Sequence, residues 1–378
     1  MSNSNEPIRV LHVVTHLNRN GLESRIMDIY RNIDRSKVQF DFMIHRNDLG
    51  DFGEEIKALG GKIYVMPSIS PRNFILYNKK LNVFFEEHTE YKIVHAHLNS
   101  LCTWVLRAAY KHNVPVRIAH SRNASMEKNL RGAAKWISKQ FVNKYATVRF
   151  GCSQMAGDWL FGKKYSRGET FRVIPNAFQV DKFIWNPEIR TEKRNELKVK
   201  DKTVFIDIAR LSEQKNHIYL LKVFEEIKKL IPNAALLLAG AGECEEKIRQ
   251  YIDSHGLNDD VQMLGPRSDA AELYQAADMF LFPSKYEGFG TVVIEAQMTN
   301  LPVIASDTIP HETKLCDCVE FMPITFEPSK WAEKANEMLL KNKRGDNLKI
   351  LQDAGFDIRK QYVWMQNFYL DKVKELRE

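Results

Sequence analysis

MFLFPSKYEGFGTVVIE, residues 279–295, decides the fold class of this 378-residue chain. Its first four residues are apolar and predict a buried strand. The glycines at 288 and 290 predict a tight turn, and the residues after them begin a helical pattern. A strand that passes through a glycine turn into a helix is the repeating unit of a parallel sheet covered by helices.

The same unit recurs along the whole chain. In the first half, apolar runs predict strands at residues 8–17, 38–45, 62–66, 93–97, 116–120, 148–152 and 171–174. In the second half they predict strands at residues 204–209, 235–239, 261–264, 279–282, 303–306 and 319–322. Helical patterns separate them, in the first half at residues 23–32, 51–59, 101–112 and 132–144. The predicted fold class is therefore α/β with two parallel sheets in tandem.

A polar segment between the two sets of strands, residues 181–202, has the composition of a linker. We therefore expect an N-terminal domain at residues 1–185 and a C-terminal domain at residues 186–354. Residues 355–378 predict a helix that is too long to cap one sheet. Parallel sheets bind ligands at the carboxyl ends of their strands, so two such sheets facing each other predict a site in the cleft between them.

Composition excludes several classes of protein. No apolar run is long enough for a transmembrane helix, and residues 1–7 lack the pattern of a secretory signal, so neither is expected. Five cysteines without a CxxC pair favour a reduced, cytoplasmic protein. The net charge is +7, but it is divided unevenly. Residues 1–185 carry 28 basic and 16 acidic residues, hence +12, and the remainder carries 27 and 32, hence −5. The basic half is therefore expected to face an anionic partner.

Charged residues follow two of the predicted strands in the second half. Arg210 and Lys215 lie in the loop after residues 204–209, where two cations can hold a diphosphate from two sides. Glu287 follows the strand at 279–282, and Glu295 lies on an otherwise apolar helix, where a carboxylate needs a hydrogen-bonding partner. The glycines at 240 and 242 begin a GxGxxG pattern whose third glycine is missing, which disfavours a dinucleotide enzyme.

In the first half, histidines stand at the ends of predicted strands. His95 and His97 end one strand, and His120 ends the next, with Arg122 two residues later. Each histidine alone is more often a structural residue, but several at strand ends favour a site. Gly21 begins a helix after the first strand and provides a second place for a phosphate.

A metal centre is not expected. The chain has no Asp-x-Asp pair of the kind that holds Mg²⁺ or Mn²⁺ in many sugar transferases, and Cys316-Asp-Cys318 has no second ligand pair to complete a zinc site. Cations at the site are therefore expected to come from arginine and lysine, with no cofactor.

Two motifs carry a resemblance: RLSEQKN at 210–216, and PSKYEGFG at 283–290 with seven residues between Glu287 and Glu295. Together they resemble the retaining GT-B glycosyltransferases of family 4, the group 1 transferases of capsule and exopolysaccharide synthesis. The resemblance covers residues 8 to about 370. It implies two Rossmann-like domains facing each other across a cleft, with the C-terminal helix crossing back to the N-terminal domain. The family usually has Gly-Gly at the first turn, whereas this chain has Asn20-Gly21.

The resemblance also implies roles for individual residues. Catalysis would involve His120 beside the reacting sugar, Arg210 and Lys215 on the diphosphate, and Glu287 on the sugar hydroxyls. Donor binding would involve Gly21, Gly265, Arg267, Glu287, Gly288, Phe289, Gly290, Thr291 and Glu295, the last on the ribose. His95, His97 and Arg122 would lie on the acceptor side.

The implied reaction moves a hexose or N-acetylhexosamine from a nucleoside-diphosphate sugar, by family habit a UDP-sugar, to a glycan or lipid-linked saccharide. A nucleotide-sugar epimerase of the same architecture is the alternative. Nucleic acid is not an expected partner, because no binding motif is present. Basic and aromatic residues alternate along 130–150, which fits an interfacial helix on an anionic membrane and equally a helix that faces the core.

Overall fold

The computed structural model describes residues 6–19, 21–122, 130–341, 344–345 and 347–378. It divides the chain into two compact units. Unit 1 comprises Met1–Phe178 together with Gly355–Glu378, and unit 2 comprises Gln179–Ala354. The boundary at residue 178 lies before the expected one at residue 185, and the C-terminal segment belongs to unit 1.

Unit 1 is built on a sheet of seven parallel strands. The strands are β1 (Ile8–Val13), β2 (Val38–Ile44), β3 (Ile63–Val65), β4 (Ile93–Ala96), β5 (Val116–Ser121), β6 (Val148–Gly151) and β7 (Phe171–Val173), in the order β3-β2-β1-β4-β5-β6-β7. The helices are α1 (Gly21–Asn32), α2 (Gly53–Ala58), α3 (Phe74–Glu87), α4 (Cys102–Lys111), α5 (Leu130–Tyr145), α6 (Gln154–Phe161) and the C-terminal helix, α14 (Ile358–Lys374). The strand order reverses direction between β1 and β4, which is the switch point of this sheet.

Unit 2 is built on six parallel strands. These are β8 (Thr203–Ile208), β9 (Ala234–Ala239), β10 (Val261–Gly265), β11 (Met279–Phe282), β12 (Val303–Ser306) and β13 (Val319–Met322), in the order β10-β9-β8-β11-β12-β13. The helices are α7 (Pro187–Glu196), α8 (His217–Leu230), α9 (Glu245–Ser254), α10 (Ala270–Ala276), α11 (Thr291–Met298), α12 (Pro328–Lys341) and α13 (Leu348–Asp353). Here the order reverses between β8 and β11.

The apolar runs form strands because both faces of each sheet are covered by helices. All six residues of β9 and all four of β11 are buried, as expected of parallel strands without a solvent face. The predicted α/β class and the predicted strands of both sheets are therefore confirmed.

The prediction of a linker at 181–202 is wrong, because α7 lies within it. Asn186 caps this helix by accepting hydrogen bonds from the N–H groups of Glu188 and Ile189, and Pro187 occupies the first turn. The basic side chains of α7 are not solvated, since Arg190 pairs with Asp278 at 2.5 Å. Residues 181–202 resembled a linker in composition because the acidic partner of the basic side chains of α7 lies far away in the sequence.

Candidate functional site in each unit

In unit 2, the charged loops predicted from the sequence lie side by side at the switch point. The loop after β8 carries Arg210 and Lys215, and the loop after its neighbour β11 carries Glu287. A backbone hydrogen bond from the N–H of Lys285 to the carbonyl of Gln214, at 2.8 Å, joins the two loops. The carboxyl ends of strands at a switch point are where parallel sheets bind ligands.

Lys215 and Glu287 form an ion pair between these loops. The Lys215 ammonium lies 2.7 Å from a Glu287 carboxylate oxygen, and the two side chains are only 16% and 10% exposed. The buried Ser284 hydroxyl donates to the same oxygen at 2.6 Å. The ammonium also lies 4.6 Å from the centre of the Phe282 ring. Several groups therefore hold this ion pair in place. Together its two side chains offer a ligand one cation and one hydrogen-bond acceptor.

Arg210 is separate from that pair and mostly exposed. It contacts Glu243 at 3.1 Å, with side chains 73% and 56% exposed. An ion pair this exposed contributes about 0–1 kcal/mol, so its guanidinium is readily released to another anion.

The backbone of the Arg210 loop is fixed by the two glycines that the sequence placed in an incomplete dinucleotide motif. A Cβ added at Gly240 would lie 1.9 Å from the carbonyl oxygen of Ala209, and one at Gly242 would lie 2.3 Å from that of Leu211. The N–H of Leu211 donates to the carbonyl of Ala241 at 3.0 Å. These glycines therefore allow the loop after β9 to lie against the Arg210 loop.

Gly290 and Glu295 position the helix that follows Glu287. Gly290 immediately precedes α11 with φ of +81°, and an added Cβ would lie 3.0 Å from the Ile309 side chain. On α11, a Glu295 carboxylate oxygen accepts a hydrogen bond from the Tyr274 hydroxyl at 3.2 Å. Burial, reinforced by the Glu295 charge, raises the pKa of Tyr274 well above its usual value. The phenol therefore remains a donor to this acid.

The neighbouring predicted donor residues differ in how available they are. Gly288 and Thr291 are half-buried, whereas Phe289 is buried at 7% exposure. Gly265 ends β10 with φ of +67°. The Arg267 guanidinium is already engaged by Asp269 at 2.5 Å and Glu196 at 3.0 Å.

Unit 1 has its own cluster at the switch point of its sheet. His12 of β1 is the register partner of His95 of β4. His97 and His120 stack close to His95, with ring centres 4.1 and 5.2 Å away. The structure therefore brings together the histidines that the sequence predicted, and it adds His12, which lies near the carboxyl end of β1.

Two chains of hydrogen bonds run through this histidine cluster. In one, Arg122 donates to Nδ1 of His97 at 3.3 Å, and Nε2 of His97 lies 3.1 Å from Nδ1 of His12. Because arginine can only donate, His97 carries its proton on Nε2 and donates to His12. In the other, the Tyr369 hydroxyl of α14 lies 2.7 Å from Nδ1 of His95, whose Nε2 lies 3.0 Å from Nδ1 of His120.

Burial keeps these rings neutral. The pKa of His12 falls to about 3 through burial, with the Arg122 charge adding to the effect. The pKa values of His95, His97 and His120 also fall well below the usual value, chiefly through burial. His120 is 0% exposed, so in this structure its ring lies beneath the protein surface and is not open to a sugar. Burial lowers the pKa of Arg122 to about 10, so it is charged at neutral pH.

His12, His95 and His97 form a group whose ring nitrogens lie within 4.8 Å of one another and that could hold a metal ion. The Arg122 guanidinium 3.3 Å from His97 opposes a second cation there. Gly21 opens α1, and a Cβ at this position would meet no atom within 4 Å. Asn20, which precedes it, lies outside the described residues.

The sequence did not indicate several supporting residues. Ser284 and Gln214 lie within the quoted motifs but were assigned no role, although both approach Glu287. Tyr274 and Tyr369 lie on helices outside the motifs. The only signal that could have found them is that a buried carboxylate or imidazole needs a hydrogen-bonding partner. No helix within the described residues is long and apolar enough to cross a membrane.

Comparison with known proteins agrees with this architecture. Three relatives illustrate the match. EpsF of Bacillus subtilis, provisionally named a glycosyltransferase, is 32% identical over 372 residues and covers 96% of both chains. The capsular polysaccharide biosynthesis glycosyltransferase CapH of Staphylococcus aureus is 23% identical and covers 97% of this chain and 99% of its own. An Escherichia coli enzyme named UDP-Gal:alpha-D-GlcNAc-diphosphoundecaprenol alpha-1,3-galactosyltransferase is 28% identical over 58% of each chain.

Among solved structures, Anabaena HepE bound to UDP superposes with a TM-score of 0.77 at 18% identity, over 96% of this chain and all of its own. This likeness shows the GT-B fold. Residues 188–349, nearly all of unit 2, match the family model described as glycosyl transferases group 1. With the full-length match to EpsF, these findings show that the chain is a glycosyltransferase and belongs to the group 1 family.

Proposed function

We propose that this protein transfers a hexose or N-acetylhexosamine from a UDP-sugar to a glycan or lipid-linked saccharide, with retention of anomeric configuration, in the synthesis of a cell-surface polysaccharide. The Lys215–Glu287 pair at the switch point of unit 2 carries the proposal. It offers a cation for a diphosphate and a carboxylate for sugar hydroxyls within 2.7 Å of each other. A nucleotide sugar has these two groups side by side.

The negative charge that develops on the leaving diphosphate would be stabilised by Lys215 and Arg210. Lys215 is shielded from water by Phe282 and the loop around it, which strengthens its electrostatic effect. Arg210 would leave its weak contact with Glu243 to reach the diphosphate. The N–H groups at the start of α11, after Gly290, would add the positive end of the helix dipole.

The remaining donor contacts follow from the same placement. Glu295, held by Tyr274 at 3.2 Å, would accept hydrogen bonds from the ribose hydroxyls. Gly265 would lie along the base. Arg267 would join it only by exchanging a contact with Asp269 or Glu196, so we assign it a smaller contribution. No metal or other cofactor enters this proposal.

The relatives support the choice of substrate class. HepE has been crystallised with UDP and with UDP-glucose, and the Escherichia coli relative is named for a UDP-galactose donor and a diphosphoundecaprenol acceptor. CapH is named for capsular polysaccharide biosynthesis. For this chain we accordingly propose a UDP-sugar, a lipid-linked saccharide and a polysaccharide product.

The acceptor would be recognised from unit 1. Arg122 is the charged member of the histidine cluster and holds the orientation of His97. The buried rings of His95 and His120 would make no direct contact and would fix the position of the carboxyl ends of β4 and β5. A contact of His120 with the reacting sugar would require the ring to become exposed, and we propose that Arg122 makes the direct contact in its place.

An anionic membrane is the proposed surface for a lipid-linked acceptor. On α5, Trp136, Ile137 and Phe141 are 54%, 52% and 45% exposed. Ile75 on α3 is 86% exposed. Large apolar side chains in water, close to basic ones, are typical of an interfacial surface.

The two helices that carry these exposed residues, α3 and α5, both pack against α4. Trp104 of α4 stacks edge-on against Phe74, with ring centres 4.6 Å apart, and its indole N–H donates to Ser138 at 2.9 Å. Phe74 precedes Ile75, and Ser138 follows Ile137. Lys79, Lys80, Lys135 and Lys139 on α3 and α5 provide the positive charge. This favours the membrane hypothesis over a helix that faces only the core.

A thermal-shift screen against UDP-, GDP- and ADP-sugars tests the donor, and NMR of the product tests retention. We expect a UDP-sugar to stabilise the wild type and to lose this effect in Lys215→Ala. A product of inverted configuration would contradict retention. Conversion of the sugar without an acceptor would contradict transfer. For the membrane, sedimentation with anionic vesicles at low salt should fail for Trp136→Ser/Ile137→Ser, and absence of wild-type binding would refute the surface.

A further inference from the structure

Unit 1 also contains a groove that is lined by none of the residues of its histidine cluster. It has a volume of about 390 Å³ and lies between α14 and the residues that begin β6 and β7. Thr147, Val148, Glu169 and Thr170 line it from the strand side. These residues stand at the amino ends of the strands, whereas ligands at a switch point bind at the carboxyl ends. We refer to it as the β7 groove.

Aromatic rings form the floor of the β7 groove. Trp364 and Phe368 of α14 are nearly parallel, with an interplanar angle of 18° and ring centres 5.4 Å apart. Phe368 lies 5.2 Å from Phe150 of β6, centre to centre. The Arg172 guanidinium of β7 lies 5.7 Å from the centre of the Trp364 ring. The floor is therefore aromatic, with the Phe150 ring tilted by 60° against Phe368, and it is bordered by a hydrogen-bond donor.

The rim of the groove carries polar groups that are not used within the protein. Among the described residues, the side chains of Glu169, Asn367 and Asp371 make no hydrogen bond or ion pair with one another or with other residues. Lys372, by contrast, is engaged by Glu375 at 2.7 Å. The available rim consequently offers two carboxylates, one amide and Arg172.

We propose that the β7 groove is an accessory binding site for an uncharged saccharide chain. The C–H face of a pyranose ring packs on an aromatic floor, while its hydroxyls donate to carboxylates and accept from an amide or a guanidinium. A phosphorylated ligand is disfavoured because acids outnumber bases in the lining. The volume lies in the range of pockets that hold small molecules. Such a site would hold a glycan by a unit other than the transferred sugar.

Binding can be measured without turnover, so the result is independent of the proposed reaction. The probes are maltotetraose, cellotetraose and tetra-N-acetylchitotetraose, each titrated by saturation-transfer NMR. We expect at least one to bind saturably to the wild-type protein and to remain bound in saturating UDP. Asn367→Ala/Asp371→Ala should weaken that binding about tenfold, the effect of losing two modest hydrogen bonds.

The variants allow a matched comparison. Asn367 and Asp371 are exposed, so the double variant should unfold at the wild-type temperature. Lys374→Ala, on the same helix but outside the groove and 77% exposed, should bind as the wild type does. The proposal is overturned if none of the three probes binds, if the double variant binds equally well, or if UDP displaces the saccharide.

Discussion

Acidification should destabilise unit 1 selectively, because its histidine cluster is buried in the neutral form. Folding keeps the pKa of His12 at about 3 and holds those of His95, His97 and His120 well below the usual value. In the unfolded chain each imidazole regains a pKa of about 6.5. As the pH falls below that value, the unfolded state binds protons that the folded state does not, and stability is lost.

The size of this loss of stability follows from the titration of the histidines in the unfolded chain alone, because they stay neutral in the folded state. Between pH 7 and pH 5, one histidine with an unfolded pKa of about 6.5 that stays neutral in the fold costs about 2 kcal/mol. Four such residues cost roughly 8 kcal/mol, comparable with the whole stability of a typical domain, about 5–15 kcal/mol. Glu23 acts in the opposite direction, since burial raises its pKa. The folded state therefore takes up this proton at a pH above the unfolded value of about 4.3, which offsets part of the loss from the histidines.

Hydrogen exchange read by mass spectrometry is the suitable assay, since it reports each unit separately. After correction for intrinsic exchange rates, the opening free energy of the amides in β1, β4 and β5 should fall by several kcal/mol from pH 7 to pH 5. The strands of unit 2 act as the internal control. A change below 1 kcal/mol in β4 and β5 would refute the reasoning, because it would require the cluster to accept protons in the folded state.

Three substitutions in unit 2 test its site. Lys215→Ala should lower turnover at least about a hundredfold, because it removes a buried cation from the leaving group. The control variant Lys285→Ala, in the neighbouring loop, should remain near wild-type activity. Equal activities of the two variants in a steady-state assay would contradict the assignment. Tyr274→Phe should weaken UDP-sugar binding about tenfold by calorimetry, because Glu295 loses its donor, and unchanged affinity would count against this role. Gly290→Ala should lower the melting temperature, since a left-handed φ costs a non-glycine residue about 1–2 kcal/mol, and an unchanged melting curve would show that the turn is not constrained.

The sheets were predictable from the sequence because of how parallel strands are buried. Strands covered on both faces, such as β9 and β11, read as uninterrupted apolar runs between glycines and charged loops. The loops of Arg210, Lys215 and Glu287 were expected at strand ends for the same reason, since each directly follows such a run, whereas the strand order that makes them neighbours was not predicted.

Helices with partners far away in sequence were harder to predict. The polar helix α7 depends on Asp278, 88 residues from Arg190, and nothing local to the segment shows that its charges are paired. The amphipathic helix α3 was not predicted, because Ile75 and Leu76 are exposed and blur the apolar stripe. Likewise, the burial of His120 depends on rings contributed by other strands, and its neighbour His95 is held by Tyr369 from 274 positions away.

The discontinuous make-up of unit 1 has a consequence for the order of synthesis. Unit 2 is a continuous segment, Gln179–Ala354, and all of it is synthesised before α14. The first segment of unit 1 thus lacks α14 until the whole of unit 2 has been made, and the phenol that holds His95 arrives with that helix. Unit 2 is then the first unit whose segments are all synthesised, and unit 1 can close around its histidines only after α14 has been made.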